Sequence, residues 1–269
     1  MGEHRYGTAP HTARLYDYFL GGKTNYATDR KAAHEALRAN PNSMVAARQN
    51  REFMHRAAGF VAREVGIRQF LDVGTGIPTE PNLHQVVQAV TPEARVVYSD
   101  NDPIVLSHAR ALMSSAPEGV TDYIEADVRD PGLILERAHK TLDFTRPIAL
   151  SVVALLHFLP DADDPYGLVR RLVGPLVPGS ALILSHGALD MDDGHMAALA
   201  EHYRNAVTPT QFRTREETAL FFEGLEMVEP GIEPTCEWRM DLELGPVRQL
   251  PGTVSPAEAG VWAGVAIKR

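Results

Sequence analysis

The stretch from Phe70 to Gly76 constrains the fold more than any other part of the chain. Its sequence, Phe-Leu-Asp-Val-Gly-Thr-Gly, is a short apolar run that ends in an acid and two spaced glycines. This pattern predicts a strand that enters a ligand-binding loop, because glycine tolerates positive φ and lets backbone amides approach a polar ligand closely. A lone Gly-x-Gly also occurs in ordinary tight turns, so its interpretation depends on the surrounding sequence.

The residues that follow complete a strand–loop–helix–strand unit. Residues 83–90 have helical apolar spacing, and residues 95–99 form a second predicted strand that ends at Asp100. Asp100 lies 26 residues after Gly74, near the spacing at which a carboxylate at a strand tip accepts hydrogen bonds from both ribose hydroxyls of a nucleoside. The alternative is that Asp100 is a solvated turn residue. Asp102 is a candidate N-cap for the next helix.

Composition excludes several classes of protein. With 269 residues and 44% hydrophobic content, the chain can bury one large core, or one core and a helical appendage. A net charge of −9 argues against bulk nucleic-acid binding and against an anionic membrane surface. Cys236 is the only cysteine, which excludes an intrachain disulfide and suits a reducing cytoplasm. The N-terminus lacks a signal-peptide core, and no apolar run is long enough for a membrane span.

The organisation of the chain changes near Gly66. Before it, helices are predicted at 12–20, 28–40 and 43–65, with Thr28 and Ser43 as N-caps, so residues 1–66 are a predicted helical cap. Residues 67–269 are predicted to form an α/β domain with a Rossmann-like, doubly wound, mostly parallel seven-stranded sheet and an antiparallel last strand. The predicted strands are 69–73, 95–99, 121–125, 147–153, 180–185, 225–228 and 261–267.

Motifs in both halves of the chain resemble known methyltransferases. The order Leu-Asp-Val-Gly-Thr-Gly at 71–76, Val-Tyr-Ser-Asp at 97–100 and Ala-Asp-Val at 126–128 resembles class I S-adenosylmethionine-dependent methyltransferases. The run from 154 to 161 is similar to the segment after the fourth strand of that superfamily. More narrowly, residues 13–25, 48–53 and 78–84 resemble a little-characterised actinobacterial methyltransferase-like family once classed as a domain of unknown function.

This resemblance implies that the cofactor is S-adenosylmethionine and that strand tips bind it. The implied cofactor residues are Asp72, Gly74, Thr75, Gly76, Asp100, Asn101, Asp127, Val128 and Ser151. The loop of Gly74 and Gly76 would receive the methionine portion, Asp100 the ribose, and Asp127 with Val128 the adenine. Residues 151–154 would line the cofactor beneath its methyl group.

One position departs from the superfamily pattern. Pro78 stands where a third glycine is common, which predicts a wider turn and leaves room for a side chain of the cap at the methionine carboxylate. Arg51 or Lys23 would pair with that carboxylate, while Tyr18 and Asn25 would close over the sulfonium. The alternative is that these cations are solvated and that the aromatic residues near Tyr18 dock the cap on the core.

Methyl transfer depends mainly on positioning, so a catalytic base is needed only for a poor nucleophile. His157 and His186 are the candidate catalytic residues, since each follows a predicted strand, and a structural role is the alternative for His157. Asp17 and Asp190 are weaker candidates. No metal site is predicted, and the acidic residues of 161–164 are interpreted as a solvated, helix-capping loop.

The sequence therefore predicts a cytoplasmic methyltransferase that acts on a small-molecule or protein acceptor. One alternative is a regulatory protein that binds S-adenosylmethionine without transferring the methyl group. Another, a nicotinamide-dependent oxidoreductase, fits less well because the glycine loop lacks a glycine at its sixth position. The acceptor pocket is expected between the cap, the segment after His186 and the loop near Trp238. The sequence specifies neither the acceptor nor the oligomeric state.

Overall fold

A computed structural model describes residues 9–112, 114–192, 194–242 and 253–269, without the side chains of 109–112. The strands are β1 (Gln69–Val73), β2 (Arg95–Asp100), β3 (Val120–Glu125), β4 (Ala149–Val153), β5 (Ala181–Gly187), β6 (Glu226–Met227), β7 (Glu233–Pro234) and β8 (Val261–Ile267). The helices are α1 (Thr12–Phe19), α2 (Ala27–Ala39), α3 (Ser43–Phe60), α4 (Leu83–Val90), α5 (Pro103–Leu112), α6 (Pro131–Ala138), α7 (Pro165–Val173), α8 (His195–Ala206), α9 (Arg215–Ala219) and α10 (Pro256–Ala259).

One mixed sheet forms the centre of the protein. Its strand order is β3-β2-β1-β4-β5-β8-β6, and β7 also pairs with β8. The strands β1 to β5 are parallel, whereas β8 runs antiparallel to β5, which confirms the predicted sheet class. Strands β2 and β3 lie on one side of β1, and β4 and β5 lie on the other side. The carboxyl ends of β1 and β4 therefore flank the switch point at which open α/β sheets bind ligands.

The strand count among the described residues differs from the expected seven. The predicted strand at 225–228 is only Glu226–Met227, and a second two-residue strand, Glu233–Pro234, follows it. Both pair antiparallel with β8. A two-residue strand such as Glu233–Pro234 carries too little period-2 pattern to be recognised from sequence.

Three apolar clusters pack around the sheet. Helices α3 and α4 cover one face of the sheet, where Phe53 and Ala57 of α3 pack with Phe70 and Val96 of the strands. Residues of α6 and α7 bury the other face. A third cluster, which joins α1, α2 and α8, includes Leu15, Phe19, Met196 and Leu199. Helices α1, α2 and α8 thus pack on one another, while α3 both covers a face of the sheet and contributes residues to the cavity at the strand tips.

Two predicted helix caps are wrong. Helix α2 begins at Ala27 rather than after Thr28, because the Asp29 carboxylate accepts from the Tyr26 amide at 2.8 Å. Ser43 is the first residue of α3, and Asn42 occupies the N-cap position. By contrast, Asp102 caps α5 as predicted, since its Oδ1 accepts from the Ile104 amide at 2.9 Å.

None of the helices within the described ranges combines the length and apolar character needed to cross a membrane.

Candidate active site

A cavity of about 320 Å³ lies at the carboxyl ends of the parallel strands, where residues of α1, α3 and α8 also line it. Its volume is in the range of small-molecule sites. The residues at the strand tips, together with Arg51 of α3, are here called the polar wall: Arg51, Asp72, Gly74, Thr75, Gly76, Asp100, Asn101, Asp127 and Val128. The facing side chains are called the apolar wall: Phe19, Phe158, Met196, Leu199, Tyr203 and Phe212.

The glycine loop after β1 forms the floor of the polar wall. Gly74 and Gly76 have φ values of 76° and 67°, a region that side-chain-bearing residues rarely adopt. A Cβ on Gly74 would also lie 2.7 Å from the Leu155 side chain. The amides of Gly74 and Thr75 both donate to the Ser99 carbonyl, at 2.8 and 3.2 Å, so they are already satisfied.

Asp100 meets this loop directly. Its Oδ2 accepts from the Gly76 amide and its Oδ1 from the Asp102 amide, both at 2.9 Å. Burial raises the pKa of the Asp100 carboxyl, and these two hydrogen bonds oppose the shift. Since an ionised carboxylate offers about four lone-pair sites, both oxygens keep acceptor capacity toward the cavity.

Asp127 and Asn101 lie side by side at the next strand tips. Asn101 Nδ2 donates to Asp127 Oδ2 at 2.8 Å, and the Arg129 amide donates to Oδ1 at 2.8 Å. Although burial raises the pKa of Asp127, these bonds and the Arg129 charge together lower it. The carboxylate is therefore ionised at neutral pH and fixed in orientation.

The segment after Gly76 is a wide turn, as predicted from Pro78. Helix α4 begins only at Leu83, and Arg51 Nη2 fixes the intervening segment by donating to the carbonyls of Thr79 and Pro81. Arg51 Nε is buried and, among the described residues, has no hydrogen-bond partner. Burial lowers the pKa of Arg51, and the nearby Asp72 charge opposes this shift.

Asp72 lies at the end of β1 in the same wall. Burial raises the pKa of its carboxyl. The hydroxyls of Ser151 and Thr75 and the charge of Arg51 oppose this shift by favouring the ionised form. Ser151 itself, paired with Asp72 in register, is fully buried and does not line the cavity. The residues of this segment that do line it are Val153, Ala154 and Leu155.

Two cap residues predicted as ligands point elsewhere. The Tyr18 hydroxyl bonds to His34 Nε2 at 2.8 Å, and Asn25 Nδ2 donates to Asp17 Oδ2 at 2.8 Å. Neither residue lines the cavity. The helical spacing of α1 brings Tyr16 and Phe19 to it instead of Tyr18, and Asn25 lies beyond the end of α1. Lys23 is exposed and likewise outside the lining.

Trp238 does not line this cavity, and residues 243–252, which follow it in the expected acceptor loop, lie outside the described residues. It is fully buried and packs edge-on against Phe53 at 5.3 Å and Phe60 at 6.1 Å between ring centroids. This contact belongs to the sheet face covered by α3.

The two candidate bases have different positions. His157 lines the cavity, and its Nδ1 accepts from the Gly187 amide at 3.3 Å, so the proton of the neutral ring is on Nε2. Burial and the Arg213 charge lower the pKa of His157 to about 3. His157 is therefore a hydrogen-bond donor to the cavity and too weak a base to accept a proton at neutral pH.

His186 is fully buried behind His157 and does not line the cavity, so the structure gives it no access to a substrate. Its Nδ1 donates to the Gly187 carbonyl at 2.9 Å, and its Nε2 accepts from Arg213 at 2.9 Å. Burial lowers its pKa well below the ordinary value. The weaker candidates also lie outside the lining: Asp17 binds Asn25, and Asp190 accepts from Trp262 Nε1 at 2.7 Å.

Several polar residues position the site through contacts with residues distant in sequence. Arg213 is fully buried and donates to the carbonyls of Leu156 and Leu159, which fixes the segment that holds His157. Asn50 accepts from Ser185 Oγ at 2.5 Å and donates to the Tyr16 hydroxyl at 2.8 Å. A lone arginine or asparagine in the sequence gives no indication of such long-range contacts.

The acidic loop is neutralised by arginines. Asp161 pairs with Arg213 at 2.6 Å and Asp163 with Arg129 at 2.8 Å. Asp164 accepts from the Gly167 amide at 3.0 Å and thereby caps α7. Within the described ranges no group of three or more histidine, cysteine, aspartate or glutamate side chains is placed to hold a metal ion.

The parallel sheet with antiparallel final strands and a polar pocket at its switch point is a Rossmann-like fold, the fold of S-adenosylmethionine-dependent methyltransferases. The plantazolicin methyltransferase BpumL, solved with S-adenosylhomocysteine and a substrate analogue, shares this fold at 12% identity, with a TM-score of 0.53 and coverage of 96% of this chain and 95% of that one.

The chain belongs to the S-adenosyl methyltransferase family, whose profile matches residues 5–269. A DUF574 family protein from Streptomyces avermitilis is 44% identical, with a TM-score of 0.92 and coverage of 98% of this chain and 99% of that one. A Thermobifida fusca protein assigned as a methyltransferase is 38% identical, with a TM-score of 0.87 and coverage of 97% and 96%. No protein with a curated description matches the chain.

The family assignment confirms the predicted S-adenosylmethionine-dependent methyltransferase and its cofactor. The alternative of a nicotinamide-dependent oxidoreductase is therefore wrong. The family also favours a methyltransferase over a protein that binds S-adenosylmethionine without transferring its methyl group. The acceptor of the methyl group is a separate question.

Proposed function

We propose that the polar wall binds S-adenosylmethionine and that the enzyme transfers its methyl group to a small-molecule or protein acceptor placed against the apolar wall. The contact between Asp100 and the Gly76 amide supports this assignment most strongly, because it joins the carboxylate proposed to bind the ribose and the glycine loop in one rigid unit. Fixed groups of this kind bind a ligand without a further ordering cost.

Asp100 and Asn101 would hold the ribose. The Asp100 carboxylate is only 7% exposed, and each oxygen already accepts one backbone amide while retaining further acceptor capacity. Two ribose hydroxyls can donate to those remaining positions. Asp127 would accept from the adenine amine, and Val128, which is 7% exposed, would contact the ring.

Arg51 would bind the methionine carboxylate. The amides of Gly74, Thr75 and Gly76 already donate within the protein, so they are not free to bind an anion. Arg51 Nε, buried and unpartnered among the described residues, is a donor without an acceptor. Asp72 lines the same wall and would pair with the methionine ammonium group.

When bound, the sulfonium supplies the methyl group and leaves as a thioether with the electron pair of the broken carbon–sulfur bond, while a lone pair of the acceptor forms the new bond. The protein's contribution is to orient the acceptor and exclude water. His157 donates a hydrogen bond in this role, because its pKa of about 3 leaves it neutral and weakly basic. Nucleophiles that react without enzymatic deprotonation are therefore favoured.

A cytoplasmic location belongs to this proposal. The sole cysteine, Cys236, is 5% exposed and unpaired, as suits a reducing compartment.

Calorimetric titration of the purified protein with S-adenosylhomocysteine tests the cofactor assignment. We expect saturable binding at one site per chain. Folded protein that releases no heat with millimolar ligand would contradict the proposal. Incubation with methyl-labelled S-adenosylmethionine and host extract then tests transfer, with labelled product as the expected result.

A further inference from the structure

The side chains of the apolar wall restrict the chemistry of the methyl acceptor. We infer that the acceptor is a small, uncharged molecule with an apolar body and a hydrogen-bond-accepting group, held between α1 and α8. This inference rests on the proposed function, because it assumes that the cofactor fills the polar wall. It narrows the acceptor from any small molecule or protein to one chemical class.

The apolar wall is continuous. The rings of Phe158 and Tyr203 lie 5.6 Å apart, and His157 contacts both Phe158 at 4.2 Å and Phe212 at 5.6 Å between centroids. Phe212 and Tyr203 are each 7% exposed, and Met196 is 3% exposed. Aromatic and thioether side chains in this arrangement favour a flat or flexible apolar ligand.

Charge is confined to the opposite side. The aspartate and arginine residues among the described cavity lining are Arg51, Asp72, Asp100, Asp127 and Arg129, all at the strand tips or at the wide turn. His11, which also lines the cavity, lies on the same side, with its Nδ1 3.4 Å from Asp102 Oδ2. On the apolar side, His157 is held neutral by burial and by Arg213. A charged acceptor would lose its hydration there without gaining a counter-ion, which is strongly unfavourable.

The hydrogen-bonding side chains of the apolar side include His157, Tyr16 and Tyr203, and the cavity lining also contains Thr208 and Asn40, whose Nδ2 lies 3.2 Å from Met196 Sδ. His157 Nε2 carries the ring proton, since Nδ1 accepts from Gly187. The Tyr203 hydroxyl has no hydrogen-bond partner within the described residues, whereas the Tyr16 hydroxyl is engaged by Asn50 and Ala47. A carbonyl or ether oxygen on the acceptor would satisfy the His157 donor and fix its orientation.

Three naphthalene probes that differ in charge test this inference. The protein is saturated with S-adenosylhomocysteine, and binding of 2-acetylnaphthalene, 2-naphthoate and protonated 2-(aminomethyl)naphthalene is measured by saturation-transfer NMR. We expect the neutral ketone to bind and both charged probes to bind at least about tenfold more weakly.

Tryptophan substitutions locate the probe. Val207→Trp fills the cavity from the half-buried end of α8, and Leu199→Trp fills it from the middle of that helix. Ala198→Trp, on the exposed face of α8, is the matched control. We expect both cavity variants to lose ketone binding and the control to keep it, while S-adenosylhomocysteine affinity changes by less than about twofold in all three.

The outcomes separate the two proposals. Absence of S-adenosylhomocysteine binding to the unmodified protein would overturn the proposed function and this inference together. Normal S-adenosylhomocysteine binding with equal or tighter binding of a charged probe would overturn this inference alone. Ketone binding that survives in every folded cavity variant, or that displaces S-adenosylhomocysteine, would do the same.

Discussion

Arg14 Nη1 donates to Asp102 Oδ2 at 3.1 Å, a contact that joins the first helix to the strand tip carrying Asp100. The same guanidinium donates through Nε to Asp29 Oδ2 at 2.9 Å, so α1, α2 and the β2 tip share one buried ion network. Arg14 and Asp102 are each 5% exposed, and Asp29 is fully buried. This network holds α1 and α2 against the tip of β2.

Replacement of Arg14 is expected to destabilise the protein strongly. Arg14→Met leaves Asp29 and Asp102 buried without their counter-ion, which should lower the free energy of unfolding by about 3–5 kcal/mol. The measurement is urea denaturation beside Arg38→Met, which removes an exposed arginine of α2. Equal midpoints for the two variants would show that the ion network does not stabilise the cap.

Asp100→Ala tests the ribose assignment. Loss of hydrogen bonds to a charged group should weaken S-adenosylhomocysteine binding by about 1–3 kcal/mol. Calorimetry gives the dissociation constant, and thermal unfolding shows that the variant is folded. Glu118→Ala, an exposed acid before β3, is the control. An unchanged dissociation constant for folded Asp100→Ala would remove Asp100 from the site.

Arg51→Gln tests the carboxylate assignment through two ligands. S-adenosylhomocysteine carries the methionine carboxylate, and 5′-methylthioadenosine lacks it. The substitution should weaken the first ligand by about 10–100-fold, the range for a hydrogen bond to a charged group, and leave the second nearly unchanged. Arg48→Gln, at an exposed position of α3, controls for the lost charge. Equal weakening of both ligands would indicate that Arg51 acts by shaping the wide turn.

Stability should fall on mild acidification because of His157. Its pKa is about 3 in the folded protein and 6.5 in the unfolded chain, so between these values the unfolded state binds the additional proton. The stabilisation from the neutral ring is complete above pH 6.5 and is lost as the pH falls toward 3. Each such group contributes a slope of about 1.4 kcal/mol per pH unit.

Urea denaturation between neutral pH and mildly acidic pH measures this slope. His157→Gln should reduce the slope by the contribution of one proton, whereas His195→Gln, at an exposed position of α8, should leave it unchanged. Identical slopes for His157→Gln and the unmodified protein would contradict the neutral, buried ring.

Local pattern was enough to predict the parallel sheet and the grouping of Gly74, Gly76 and Asp100, whereas Asp127 was added by the family resemblance. The carboxyl ends of parallel strands necessarily meet at one edge, so motifs at those ends predict proximity. The wide turn also followed from local chemistry, since Pro78 and Pro81 cannot enter a helix interior. These residue roles in cofactor binding stay predictions that the variants above address.

Local sequence pattern did not predict the contacts between residues that are distant in sequence. Tyr18 and Asn25 were expected to close over the sulfonium, but they bind His34 and Asp17 instead. In place of Tyr18, α1 presents Tyr16 and Phe19 to the cavity. His186 follows a strand as His157 does, yet its side chain is buried against Arg213. Burial of a single side chain depends on packing between elements, which periodicity does not encode.

The most direct test is the electron density of S-adenosylhomocysteine bound to crystals of this protein. The account predicts ribose hydroxyls at the Asp100 carboxylate, adenine beside Asp127, the amino-acid carboxylate at Arg51, and the sulfur directed toward the apolar wall. Density for the ligand at any other place, with the polar wall occupied only by water, would contradict the account.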